Sequence, residues 1–493
     1  MKKIALPLFA LAAATAFADS VTLGNSYNIW SSTEGLGTST SADIIFNADG
    51  GGLFIDIDNV KISSATVNSA GGNYFQVKTG YKATVSSLVF GTSKINVFKF
   101  GTGNEASKDG YLGEMDLIVG DTTKNTTIGF EVNSGTLNVI GAGGLSGMPF
   151  TVGNKGVLNL YTNSSKTGWG TYNNGGLITV KSGGSFTAGS VVTPNINVES
   201  GGSFTSKYGI RMIGQAKTST LDGALVVNGG QGGTDKKGSD GLTYNTRNFI
   251  FRLGNGTNPG GANAAARATA DATIKMTIGA SGTIKQFNGN AGYVNDILGE
   301  LTVNAATGAL QFQNTVTLAG KGKLILNTTN AFSTINKAGD TVLASQAGTT
   351  FNVSRKYYDN SDAADFCSDS FLVVNADNDL GALAFGNNTK LTLTVADGAI
   401  FSLGQIIRQD GCTLDYTFVL DNWHDYSFRI TDMTEADINA LTFVDAEGNK
   451  LDFKTVESTM GGYWINNAIP EPSTYAMVLG GLAIAFAFMR RRR

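Results

Sequence analysis

Histidine occurs once in 493 residues, as His424, and cysteine twice, as Cys367 and Cys412. Zinc takes about four Cys, His or carboxylate ligands, so these residues make a poor zinc set and no metal site or cofactor is assigned. A Ser-His-Asp triad would have to use His424, which sits in Asp421-Asn422-Trp423-His424-Asp425, and no Gly-x-Ser-x-Gly nucleophile turn occurs. Proline is scarce at 6 residues, and charged residues make up 15% of the chain against an ordinary ~25%. An excess of positive charge is lacking as well, since the formal net charge is −3. No basic stripe is left to neutralise phosphates, which argues against a nucleic-acid partner.

Glycine is abundant, at 65 residues, about twice the usual ~7%. With few prolines, this composition suits short, closely spaced strands joined by Gly and Asn turns. A repeat organises the middle of the chain. Gly135-Thr136-Leu137-Asn138-Val139 recurs as Gly156-Val157-Leu158-Asn159-Leu160, Gly176-Leu177-Ile178-Thr179-Val180 and Pro194-Asn195-Ile196-Asn197-Val198. It returns at wider intervals as Gly223 to Val227, Gly299 to Val303 and Gly322 to Leu326, with Ile95 and Leu117 extending the rhythm upstream. Alternation puts Leu137 and Val139 on one face and Thr136 and Asn138 on the other, which is the period of a half-buried strand.

Units of this size cannot bury an apolar face alone, so they are expected to stack. The fold expected is all-β: a parallel β-solenoid, or β-helix, in which equivalent apolar residues lie on one another from rung to rung. "SGGSFT" at Ser182 to Thr187 and again at Ser200 to Thr205 predicts that Phe186 and Phe204 stack. A string of antiparallel β-sandwiches is the rival reading. From 228 to about 271 the rhythm breaks into Gly-rich stretches read as loops around one strand, Phe249 to Leu253. From 399 to 466 it fades into an aromatic-rich cap region, where "TEADINAL" at Thr434 to Leu441 reads as a short capped helix.

Both ends carry apolar segments with charged flanks. Lys2 and Lys3, an apolar stretch from Ile4 to Ala14, and Ala16-Phe17-Ala18 make a secretory signal over 1–18, with cleavage expected before Asp19. At the other end, residues 473–489 are free of charge and follow Pro470-Glu471-Pro472, while Arg490, Arg491, Arg492 and Arg493 come after them. At ~1.5 Å rise per residue this stretch is a minimal transmembrane helix whose arginines stay on the cytoplasmic side. Residues 19 to 468 are then exported and held outside the inner membrane.

Pro470-Glu471-Pro472, Ser473, the Gly-containing apolar span and the arginine cluster together resemble the PEP-CTERM sorting signal of Gram-negative bacteria. The resemblance covers 469–493 and implies recognition by an exosortase-type protease of the inner membrane, cleavage near the tripeptide, and release towards the cell surface or extracellular matrix. The ectodomain, 19–398, resembles the β-helical passenger regions of autotransporter surface proteins in its Gly/Asn/Thr-rich rungs.

Export places Cys367 and Cys412 where disulfides persist; a bridge between them would close a loop worth roughly 4 kcal/mol in the chain-entropy model, and two separate buried thiols are the alternative. Gly101-Thr102-Gly103-Asn104-Glu105-Ala106 imitates a dinucleotide fingerprint, but Lys108-Asp109-Gly110 follows where a helix is needed. The enzymatic alternative is a β-helical polysaccharide lyase or glycoside hydrolase, which needs paired carboxylates. Between Val132 and Leu221 the single acidic residue is Glu199. Asp56 and Asp58 alternate with Ile55 and Ile57 as a solvated strand face, and Asp359, Asp362, Asp365 and Asp369 lack the spacing of an EF-hand loop. The function expected is a non-catalytic structural or adhesive surface protein, with exposed Thr, Asn, Ser and Tyr available to surface polysaccharide or other glycans.

Overall fold

The computed structural model describes residues 20–468 apart from 24–26, 32–40, 49, 69–72, 91–96, 102–109, 120–128, 142–147, 173–175, 231–234, 238–242, 246–248, 256–263, 288–292, 314, 336–340, 344–349, 355–367 and 414. Those residues are nearly all β and form two long sheets of 24 and 16 strands. Pairing is parallel except in the hairpins Asp235–Lys237 with Thr243–Asn245 and Phe332–Ile335 with Thr341–Leu343, at the isolated bridge between Tyr161 and Trp169, and at the C-terminal end. Long parallel sheets wound from consecutive segments fit a β-solenoid.

The larger sheet turns a corner. Ser203–Met212 pairs through its first half with Ala224–Val227 and through its second with Phe249–Leu253. From Ser185–Thr193 onward the described strands of the larger sheet therefore fall into two columns, and the smaller sheet makes a third. In the first column Leu137, Leu158, Phe186, Phe204, Leu225, Ile284, Leu310 and Phe332 follow one another in register. Met212, Leu253, Ile297, Leu318, Val353 and Phe385 do so in the second. The smaller sheet carries Val132, Val152, Val180, Val198, Leu221, Ile278, Val303 and Leu326. All of these side chains are buried in one continuous core.

The repeat read from the sequence thus divides between columns. Gly135–Ile140 and Gly156–Tyr161 are neighbours in the first, whereas Ile178–Val180 and Ile196–Val198 pair in the smaller sheet. Leu158 and Ile178 face the same core from different sides, because one turn contributes more than one strand to it. Upstream, Leu117 pairs with Val139 and not with Leu137, a slip of two residues that keeps the inward parity. Ile95 lies outside the described residues.

Phe186 and Phe204 stack as the twin turns predict, with ring centroids 4.8 Å apart. Gly183 and Gly201, at φ 74° and 80°, supply the left-handed residue of those turns. Further rings extend the series through Phe75, Phe98, Phe130 and Phe150 at centroid separations of 5.5 to 6.1 Å. At another corner Asn304, Asn327 and Asn375 form an amide ladder, each Nδ2 donating to the preceding Oδ1 at 2.7 Å.

The break after Asn228 holds the strand Phe249–Leu253, as expected, together with a helix where the sequence predicts loop, Ala264–Asp271. Its alanines are strong helix formers once Ala268 can be buried, and buried Asp271 accepts the backbone N–H of Asn255 at 2.9 Å. Near the C-terminus Glu435–Asn439 is helical, with Thr434 as N-cap accepting from Asp437 N–H. The strand Tyr463–Asn467 pairs antiparallel with both Phe428–Ile430 and Phe453–Glu457 and lies along the last rung's edge. Among the described residues no helix is long and apolar enough to cross a membrane. The span expected at 473–489 and the signal at 1–18 lie outside them.

Replacing Leu158 by Ala empties a site packed between Leu137 and Phe186, and should cost about 3 kcal/mol. Asn159→Ala, one residue along, removes the outward amide bond to Asn138 and should cost about 1 kcal/mol. Urea unfolding of both variants checks the assignment of inward and outward faces, and equal losses would refute it.

Candidate functional site

Most of the residues expected to carry function fall outside the described part. Ala16, Ala18, Cys367, Pro470, Glu471, Pro472 and Arg490 to Arg493 are among them, as are Asp359, Asp362 and Asp365. Cys412 is half-buried in the turn after Phe401–Arg408, its N–H donating to the Gln409 carbonyl at 3.0 Å. Asp369 faces Lys390 at 3.7 Å. His424 Nε2 lies 2.9 Å from Asp397 Oδ1, while the nearby Ser427 hydroxyl donates to the His424 backbone carbonyl at 2.7 Å. The serine is thus engaged with the backbone of its own turn.

Asp56 and Asp58 do not share a strand face. The strand Gly52–Asp56 ends at Asp56, which pairs with Lys78. Asp58 lies in the following turn and accepts Lys82 N–H at 2.8 Å and Asn59 Nδ2 at 2.9 Å. Asn59 bends the chain there at φ 59°.

The densest polar site is on the outer face of the first column. Glu114 and Asp116 alternate with inward Met115 and Leu117, so both carboxylates point outward from one strand. Asn138, on the next rung, donates to Glu114 Oε1 at 2.7 Å and to Asp116 Oδ1 at 2.8 Å, and accepts from Asn159 Nδ2 at 3.0 Å. Lys166 comes back from the turn that follows Tyr161, held at φ 56°, and places Nζ 2.6 Å from both carboxylates. Lys82 approaches Glu114 from the opposite side at 3.1 Å. Alternation in "GEMDLI" marks Glu114 and Asp116 as an outward pair in the sequence; nothing local marks Lys166, which arrives from 52 residues away.

Partial burial opposes charge on Glu114, but hydrogen bonds from Lys166 and Lys82 outweigh it and hold the carboxyl below its usual range. Burial likewise opposes the charge on Lys166, and its bonds to Asp116 and Glu114 raise its value nonetheless. A general acid for glycoside cleavage needs a carboxyl raised towards the working pH. Glu114 is moved the other way. Chemically the cluster is a clip in which the chain's own ammonium occupies the space between two anions. Among the described residues no three His, Cys, Asp or Glu side chains gather as a metal set.

Beyond the clip, Tyr161 stacks on Trp169 with centroids 4.7 Å apart and planes 26° apart, and Lys207 holds Nζ 5.0 Å above the Trp169 ring. These residues stand where the first column turns into the second. Neither the repeat nor the composition points to them, because the contacts join separate rungs.

The shifts set a pH window for the clip. Glu114, lowered in the folded state, contributes stability above the ordinary carboxyl value near ~4.5, and this is lost as pH falls through its folded value; Lys166, raised, contributes fully below ~10.5, and this is lost as pH rises through its higher folded value. Lys166→Ala should cost about 1 kcal/mol at pH 7 and flatten the acid limb of a stability-pH profile. Retention of the wild-type acid limb would show that the clip does not couple to folding.

Residues 468–493 match the family model of the PEP-CTERM protein-sorting motif. No curated protein matches the chain. The motif marks an exported chain that passes through a membrane-anchored stage towards the cell surface and is processed by exosortase, a membrane-embedded enzyme.

Proposed function

We propose that the exported part is a closed parallel β-solenoid that serves as a structural or adhesive component of the cell surface or its matrix, without catalysing a reaction. The observation that carries this reading is the inward stacking of apolar residues in register along three columns combined with an outward face of amides, hydroxyls and paired charges, on a chain with a surface-sorting tail. Such a stack is stiff along its axis and presents the same polar pattern rung after rung, which suits an extended contact with a polymer. The polysaccharide lyase or hydrolase reading is weaker, since the Glu114 and Asp116 pair is neutralised by Lys166.

In this reading, the signal at 1–18 starts export, residues 473–489 hold the chain in the inner membrane of a Gram-negative cell, and the protease cuts near Pro470-Glu471-Pro472. Mass spectrometry of surface-extracted protein should find chains lacking Tyr475 to Arg493; intact tails in most molecules would make the segment a permanent anchor. Cys367 and Cys412 should appear in one linked peptide after non-reducing digestion, and full labelling of both as thiols would rule the bridge out.

Incubating the purified ectodomain with surface polysaccharides tests the non-catalytic role, and should release neither reducing ends nor unsaturated sugars.

A further inference from the structure

One residue beyond the paired positions Ser206, Val227 and Gln286, at the corner between the first and second columns, stand Lys207, Asn228 and Phe287. The equivalent places two rungs and one rung earlier are Tyr161 and Gly189, each two residues past the paired Asn159 and Thr187. Large side chains therefore recur on every second rung: Tyr161 with Trp169, then Lys207 with Tyr208, then Phe287. Smaller residues, Gly189 and Asn228, stand on the rungs between. A Cβ on Gly189 would sit 2.8 Å from the Trp169 carbonyl oxygen, and one on Gly229 would sit 2.5 Å from that of Lys207. At Gly189 the backbone itself therefore leaves no room for a side chain.

Strands in a sheet lie about 4.8 Å apart, so the large groups repeat at roughly 9.6 Å and the series from Tyr161 to Phe287 spans roughly 19 Å. Tyr208 and Phe287 are 44% and 46% exposed, far above the buried rings of the core. Aromatic rings with one face towards water offer the flat contact that the apolar C–H face of a pyranose needs. In an extended β-linked chain successive sugars turn over, so the same face returns at every second sugar. That period is close to two rungs. The exposed Asn228 supplies an amide for hydroxyls on the rung between Tyr208 and Phe287. Acidic composition of the exported part disfavours a polyanion at long range, and the Lys207 ammonium is already directed at Trp169.

We propose that this ridge, from Tyr161 and Trp169 past Lys207 and Tyr208 to Phe287, binds a neutral, extended β-linked polysaccharide running parallel to the stacking direction, about four sugars in contact. The proposal rests on the adhesive half of the proposed function and gives it a site and a ligand class.

Titration calorimetry of the ectodomain with cellobiose, cellotetraose and cellohexaose tests it, with oligogalacturonate as the acidic comparison. Affinity should rise from the disaccharide to the tetrasaccharide and then level off, with oligogalacturonate weaker. Phe287→Ala and Tyr208→Ala, both surface changes, should each weaken cellohexaose roughly three- to tenfold, while Met460→Ala, exposed near the C-terminal end, should not. Binding that ignores Phe287 and Tyr208 overturns the ridge and leaves an adhesive role in place. Preference for oligogalacturonate overturns the neutral ligand. Binding to neither overturns the ridge and the adhesive reading together, without touching the structural one. Shortening of cellohexaose during the titration would overturn the non-catalytic reading, with the ridge still judged by its variants.

Discussion

Every other feature of this molecule is conditioned by the ladder of backbone hydrogen bonds between consecutive turns of the chain. The ladder holds adjacent strands about 4.8 Å apart and in parallel register. Each inward side chain then lies on its counterpart one turn away, so the core must be filled by residues that stack: Leu137 on Leu158, Phe186 on Phe204, Val180 on Val198. A single inward polar substitution would disturb its own rung and the two beside it, because the same spacing that packs the core leaves no slack along the axis.

The same constraint governs the outside. Like charges on adjacent rungs would repel at close range, and the surface columns alternate in sign accordingly. Glu300 lies between Lys275 at 3.1 Å and Lys323 at 3.9 Å, and Lys99 meets Glu131 at 3.3 Å. Asparagine solves the problem differently, since one amide both donates and accepts and so tolerates itself indefinitely, as in the ladder through Asn304, Asn327 and Asn375. One pair on the second column is carried fully inside. Arg252 Nε donates to Asp296 Oδ2 at 2.7 Å on the next rung, both side chains are 0% exposed, and the guanidinium lies 4.3 Å from the Phe249 ring. Such a pair adds little net stability, but loss of either member would leave the other charge buried, so it opposes any slip of register.

The polar chemistry of the outer face is densest where the ladder is interrupted. The loop after Tyr161 carries Lys166 back two rungs to the Glu114 and Asp116 pair, and it brings Trp169 against Tyr161. The clip ties down the loop, and the loop holds Trp169 stacked on Tyr161. A surface chosen for repetition thus gains one irregular patch with its own chemistry, while the tail at 468–493 decides where in the cell that surface is displayed.

Alternation in "GTLNV", "GVLNL" and "GLITV" determined which side chains point inward, since parity along a strand is a local property that no packing choice alters. The twin "SGGSFT" turns determined that Phe186 and Phe204 meet, and "TEADINAL" determined a capped helix, both through short-range geometry. Only the tertiary structure decided that Leu158 and Ile178 belong to different sides of the core, because column membership depends on how many strands one turn contributes, and the repeat length alone does not count them. It also decided that Asp58 leaves the strand to cap a turn, that the alanines of Ala264–Asp271 coil into a helix once Ala268 is buried, and that Lys166 answers Glu114. Those outcomes join residues from separate turns, and the energy that selects them exists only after the turns have stacked.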